Sequence, residues 1–145
     1  MATAAPSAVY TPALLGLQAT VADSFALVMK ARDGVLAKTA FDVAALLQFS
    51  ADELADLLHT TTKTLRTYRQ GKKTLGPAAS EQVLKLLALA RHGEEVFGSQ
   101  PAFRRWLDKP AYGLDNQAPL ALLETSGGID LVADEIDRIA HGDFA

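Results

Sequence analysis

The sequence predicts an all-α protein: a helix-turn-helix domain joined by a long helix to a small helical domain. Three observations predict it. Apolar residues recur at three- and four-residue spacing in segment after segment. No segment alternates with period two over enough length to argue for a sheet. The stretch from Pro77 to Gly98 has Val83, Leu84, Leu86, Leu87, Leu89 and Ala90 on most of its circumference, as expected of a buried connecting spine.

Taken in order, residues 1–22 read as an N-terminal arm rich in Ala, Thr and Pro. Thr11 before Pro12 can start a short helix through Leu14, Leu15 and Leu17. Residues 23–97 form the helix-turn-helix domain with its connecting helix. Asp23 or Ser24 caps a helix that sets Phe25, Val28 and Met29 inward and ends at Gly34. A helix from about Thr39 to Gln48 then turns Phe41, Ala44, Ala45, Leu46 and Leu47 toward the core. Pro77 and Ser80 mark the start of the long helix. Residues 98–145 divide into helical segments at 102–107, 119–124 and 129–141, with Gly127 and Gly128 read as a turn before the last. In that last helix Ile129, Val132, Ala133, Ile136 and Ala140 make one stripe, opposed by Asp130, Asp134, Asp137, Arg138 and His141. Trp106 is expected in the core of this part with Leu107 and Leu123, and Arg104 and Arg105 at the surface.

The chemistry concentrates between Ser50 and Lys73. Ser50 with Glu53 has capping-box spacing, and Leu54, Ala55, Leu57 and Leu58 supply one apolar face. His59, Thr60 and Thr61 break the pattern, with His59 at a turn position that calls for a left-handed backbone. Thr62 is expected to cap a second helix whose inward pair is Leu65 and Tyr68. Its outward side carries Lys63, Arg66 and Arg69, and the following loop adds Lys72 and Lys73. These are five positive charges in eleven residues, with no acid between His59 and Lys73. A compact helix pair whose second member is cationic suits the major groove. Thr61, Thr62, Lys63 and Arg66 are the candidates for base edges, and Arg69, Lys72 and Lys73 for phosphates; Thr67 completes the expected DNA-binding set.

At 145 residues the chain is long enough to bury roughly 68–70% of its unfolded surface. The absence of cysteine excludes a disulfide framework and thiolate metal sites, and fits a reducing cytosol. Pro6 and Pro12 with no basic lead argue against a signal peptide or membrane span. His59, His92 and His141 lie far apart without metal-ligand spacing, and no glycine-rich phosphate loop follows a strand, so the expectation is a protein that is no enzyme and needs no cofactor. The net charge of −3 is uneven: from Leu114 onward seven acids face one base, Arg138. A cationic end and an anionic end call for two different partners.

The C-terminal third resembles the toxin-binding domain of the Xre/MbcA/ParS antitoxins. The shared pattern comprises Val96 to Gly98, Ala102 with Trp106 and Leu107, Pro110 with Leu114, Pro119 to Thr125, Gly128, and Arg138 with Ile139 and Gly142. Ala111 departs from it where relatives often carry Asn, and His59 departs from the usual Gly of the turn. With the upstream Xre-like helix-turn-helix, the resemblance spans about Asp23 to Ala145. It implies a cytoplasmic, usually dimeric antitoxin that represses its own operon by binding operator DNA and neutralises a RES-domain toxin, an enzyme class that consumes NAD. A pocket for a dinucleotide pyrophosphate is cationic, so the acidic last helix and tail are the expected toxin-binding elements: Asp134, Asp137, Arg138, His141, Gly142, Asp143 and Phe144. Two other readings stay open on sequence. One is a stand-alone regulator whose C-terminal part only dimerises; the other is an adaptor whose basic helix binds an acidic protein.

Overall fold

The computed structural model describes residues 10–142, and in them the all-helical expectation holds: no strand occurs among the described residues. Two single-turn helices, α1 (Pro12–Leu15) and α2 (Gln18–Val21), lead into α3 (Ser24–Asp33), α4 (Ala37–Leu46), α5 (Ala51–Leu57) and α6 (Thr62–Gln70). The long α7 (Pro77–Phe97) follows. Then come α8 (Gln100–Leu107), two 3₁₀ turns (Tyr112–Leu114 and Pro119–Leu122) and α9 (Ser126–Ala140).

Helix α7 is the spine that its composition predicts. Pro77 starts it, and its buried Val83, Leu84, Leu86, Leu87, Leu89 and Ala90 meet helices from both halves, α3 and α4 on one side and α8 and α9 on the other. One continuous apolar cluster therefore runs from Leu14 to Ile136. Ser80, a polar residue in this apolar wall, is fully buried and satisfied: its hydroxyl accepts from Val35 N at 3.0 Å and donates to Leu75 O at 3.1 Å. The N-terminal segment is fastened from Thr11 on. Thr11 Oγ1 donates to Asp42 at 3.3 Å, and Leu14 is wholly buried.

Several packing expectations are corrected. In α3 the buried residues are Leu27 and Ala31, while Phe25, Val28 and Met29 face outward at 72%, 47% and 41% exposure. The helix meets α7 through the Leu27–Ala31 stripe, which continues into buried Val35; apolar composition alone does not say which stripe is covered. Ala45 is likewise exposed, and Val43 takes the inward place beside Ala44. Arg104 is not a free surface residue, for it reaches α5. The helical segment expected over 119–124 is present as the 3₁₀ turn Pro119–Leu122.

Gly127 and Gly128 form the first turn of α9 rather than a turn before it. Thr125 is the N-cap, its hydroxyl accepting from Gly128 N at 2.9 Å. A methyl at Gly128 would overlap the Leu122 carbonyl oxygen, which explains the glycine by close approach. The aromatic group is also mutual: Phe97, Phe103 and Trp106 stack at centroid distances of 5.1–6.1 Å, with Phe103 buried and Trp106 half-buried.

Candidate nucleic-acid and partner interfaces

The cationic unit forms as its spacing predicts. Ser50 and Glu53 make both bonds of the capping box, at 3.0 and 2.9 Å. Helix α5 ends at His59 in a left-handed conformation, φ 58°, with Thr60 N reaching back to Ala55 O at 3.0 Å. His59 has a second task that sequence reasoning missed. Its Nε2 lies 2.6 Å from Glu124 O, and Gln82 Nε2 donates to both Leu57 O and Glu124 O. The turn is thus tied to the C-terminal half.

The cap of α6 falls one residue earlier than expected. Thr61, not Thr62, is the N-cap and accepts from Thr64 N at 3.1 Å. Thr62 instead donates to Asp52 at 2.6 Å. Both hydroxyls are engaged within the protein. Leu65 is buried and Tyr68 half-buried, as an inward pair should be. Lys63, Arg66, Thr67 and Arg69 all stand exposed on the far side, and Lys72 and Lys73 are exposed in the loop beyond. Gln70, also exposed, lies four residues from Arg66 and seven from Lys63, a helical spacing that could have identified it. Two cations are held in place by rings. The Arg69 guanidinium lies 4.0 Å above the Phe41 centroid, and Lys73 Nζ lies 5.4 Å from that of Tyr68. A fixed arginine loses less side-chain freedom when it meets a phosphate.

At the opposite end, α9 displays Asp134, Asp137, Arg138 and His141 to solvent, and Gly142 follows in a left-handed cap at φ 75°. Asp143 and Phe144 lie outside the described residues. The face is not a uniform acid row. Asp137 Oδ1 lies 2.7 Å from His92 Nε2, a close charge contact whenever that imidazole is protonated, although too far out of line for a hydrogen bond. His141 Nδ1 lies 2.7 Å from Asp137 O. Lys85 binds Asp130 at 2.9 and 3.0 Å. Arg138 pairs with Glu135, whose carboxylate is buried against Gly113. Asp134 is therefore the acid of this face free of such a partner among the described residues. Two exposed apolar side chains of this half were missed by sequence reasoning: Leu131, one turn before Asp134 on α9, and Tyr112, next to the Gly113 that meets Glu135, at 54% and 87% exposure.

A cationic helix-turn-helix and an acidic helical lobe sharing one spine define a two-headed, all-helical binding protein. Comparison with known families gives that class its name. Residues 26–88 match the antitoxin Xre-like helix-turn-helix domain, and residues 92–142 match the antitoxin Xre/MbcA/ParS C-terminal toxin-binding domain. The chain thus carries, one after the other, the helix-turn-helix domain and the C-terminal toxin-binding domain of the Xre/MbcA/ParS antitoxins. It is 28% identical over 95 residues to an antitoxin Xre of Yersinia enterocolitica, an alignment covering 63% of this chain and 64% of that relative's length. Its fold is similar to a chain in the crystal structure of the M. tuberculosis MbcT-MbcA toxin-antitoxin complex, with a TM-score of 0.61 at 22% identity. That match covers 77% of this chain and 98% of the other.

Proposed function

We propose that this protein is the antitoxin of a type II toxin-antitoxin pair. Through α6 it represses its own operon, and through α9 it holds a RES-domain, NAD-consuming toxin inactive. It acts by binding rather than catalysis, as a homodimer on operator DNA in the cytoplasm. The observation that carries the reading is the separation of charge across one fold: an exposed cationic ridge on the helix-turn-helix, and an exposed acidic face on the domain that matches toxin-binding relatives. No helix among the described residues is long and apolar enough to cross a membrane.

In this reading Lys63, Arg66, Thr67 and Gln70 read base edges. Thr61 and Thr62 contribute by holding the start of α6 in place. Arg69, Lys72 and Lys73 hold phosphates. Losing a bidentate base contact costs on the order of 1–3 kcal/mol for the operator, whereas losing a phosphate contact weakens every sequence alike. Arg66→Ala is therefore expected to lower the ratio of operator to random-DNA affinity by roughly five- to 150-fold. Lys73→Ala is expected to leave that ratio unchanged and to reduce the slope of log affinity against log salt by about one. Titration of both variants against operator and scrambled duplexes at several salt concentrations checks this; equal effects of the two changes would reject the assignment.

On the other face, Asp134 and Asp137, with Tyr112 and Leu131 as apolar anchors, meet the cationic rim of the toxin's dinucleotide pocket. Reversing Asp134 and Asp137 to Lys is expected to restore NAD consumption by the purified complex while operator binding is kept. Unchanged inhibition would remove α9 from the mechanism.

A further inference from the structure

His59 stands where the end of a helix ordinarily takes glycine. Its φ is 58°, and Thr60 N returns across it to Ala55 O at 3.0 Å. Glycine adopts that backbone freely, whereas a residue with a side chain adopts it at a conformational penalty. Here the side chain has a partner. Its Nε2 lies 2.6 Å from Glu124 O, 65 positions along the chain. Because that partner is a carbonyl oxygen, Nε2–H donates, in the neutral ring and the charged one alike.

The two ends of this bond differ in how firmly they are held. Glu124 O is fixed: Leu123 before it is wholly buried, Thr125 after it is the N-cap of α9, and buried Gln82 donates both to it at 2.7 Å and to Leu57 O at 3.1 Å. Helix α6 is the looser element. It has nine residues and Leu65 as its one buried side chain, so packing sets its distance from the core but gives little hold on its rotation and slide. Those depend on its start, where Thr61 caps it and Thr62 Oγ1 donates to Asp52 at 2.6 Å. Both threonines lie just beyond His59, and Asp52 belongs to α5, which ends at the same turn. A helix that reads base edges must hold its side chains to within roughly half an ångström.

We propose that His59 is a positioning residue for the cationic helix, and that the C-terminal half is thereby part of the DNA-reading apparatus. The His59–Glu124 bond clamps the α5–α6 turn onto the end of the 119–123 segment and fixes the pose in which Lys63 and Arg66 meet base edges. Phosphate contacts ask less of that pose, because Arg69, Lys72 and Lys73 act by charge at the far end of the helix and in the loop beyond. The clamp therefore sets sequence preference rather than affinity at large. This rests on the DNA-binding function proposed above, but the clamp itself is measurable without DNA.

Three variants of the full chain test it. His59→Gly frees the turn and removes the donor, His59→Ala removes the donor and keeps the backbone penalty, and His59→Gln places an amide donor near the position of Nε2. The probe is the duplex that the wild type enriches from a random pool, set against a scrambled one. His59→Gly is expected to lower the ratio of the two affinities about tenfold, the value of one good base contact. Its affinity for scrambled DNA and its salt slope should match the wild type, and its melting temperature should stay within about 4 °C, the relieved backbone offsetting the lost bond. His59→Ala should lose the same preference and melt lower, and His59→Gln should recover most of the preference. Without DNA, amide hydrogen exchange at Thr64 and Leu65, whose N–H groups bond to Thr61, should be faster in the Gly and Ala variants than in the wild type or His59→Gln. A wild type that enriches no duplex would overturn the DNA-binding function and this proposal together. Sequence preference that survives in His59→Gly overturns the proposal alone. So does unchanged exchange in that variant, or an equal loss on both duplexes, which would make His59 a phosphate contact.

Discussion

Gly128→Ala is expected to destabilise the protein by about 3 kcal/mol, while Gly127→Ala, one residue earlier, is expected to be neutral or to stabilise it by up to about 1 kcal/mol. The contrast comes from what each position faces. Gly128 is buried in the first turn of α9, and a methyl there would collide with the Leu122 carbonyl oxygen. That atom is backbone at the end of a 3₁₀ turn, so it cannot swing away as a side chain would. Relieving the overlap requires the start of α9 to lift from the 119–123 segment. That strains the Thr125 cap and disturbs Ile129, buried in the core one residue on. Gly127 faces open space, with nothing within 4 Å of the added atom, and gains the better helical propensity of alanine. At this chain length the loss at Gly128 corresponds to a fall in melting temperature of roughly 10 °C. Thermal unfolding of the two variants side by side checks it. Equal melting temperatures would mean that the close approach is not a constraint on the fold.

That glycine also shows where sequence reasoning reached and where it stopped. Local chemistry was legible. The Ser50–Glu53 box, the left-handed His59 and the start of α7 at Pro77 each depend on residues within one or two turns, so spacing reveals them. The cationic ridge was legible for the same reason, since a helix's outward face follows from its own inward pair. The packing partners of a face were not. Phe25, Val28 and Met29 satisfy the apolar period as well as Leu27 and Ala31 do, and the choice between the stripes was made by α7, which enters some fifty residues later. Two adjacent glycines normally signal a turn; only the position of the Leu122 carbonyl makes Gly128 a helix residue under a steric demand. The engaged Thr61 and Thr62 hydroxyls and the Glu135–Arg138 pair depend on rotamers, which periodicity does not encode. On α9 the acidic stripe could be read off the sequence, but not which of its acids already had cationic neighbours.

Arg104 is another such long-range case, and its removal is the second large effect expected. Nη1 and Nη2 bind the two carboxylate oxygens of Glu53, 51 positions away in the chain, at 3.1 and 2.8 Å. Nη1 also donates to Gln48 O at 2.7 Å, and Nε to Asp108 at 3.0 Å. The guanidinium sits 5.3 Å from the Phe49 ring centroid. One side chain thereby ties α8 to the N-terminus of α5, where Glu53 already serves the capping box. Forked geometry of this kind is specific to arginine, so Arg104→Ala should cost about 2 kcal/mol. The value is kept below that of a fully buried pair because Glu53 is partly exposed, and Arg104→Lys should recover only part of it. The pair also predicts a pH dependence. The Glu53 carboxyl is held below its ordinary value of 4.5, first by the hydrogen bond from Arg104 and then, against the opposing effect of burial, by the Ser50 backbone. A carboxyl whose folded value is depressed contributes stability that is present above its unfolded value and is lost as the pH falls through the folded one. Wild-type stability should therefore decline between about pH 5 and 3 more steeply than that of Arg104→Ala or Glu53→Gln, the three curves converging in acid. Urea denaturation across that range measures the slopes. Parallel curves would show that the Glu53–Arg104 contact does not persist in solution, leaving the apolar cluster along α7 and the His59 and Gln82 bonds to Glu124 O to hold the helix-turn-helix against the C-terminal half.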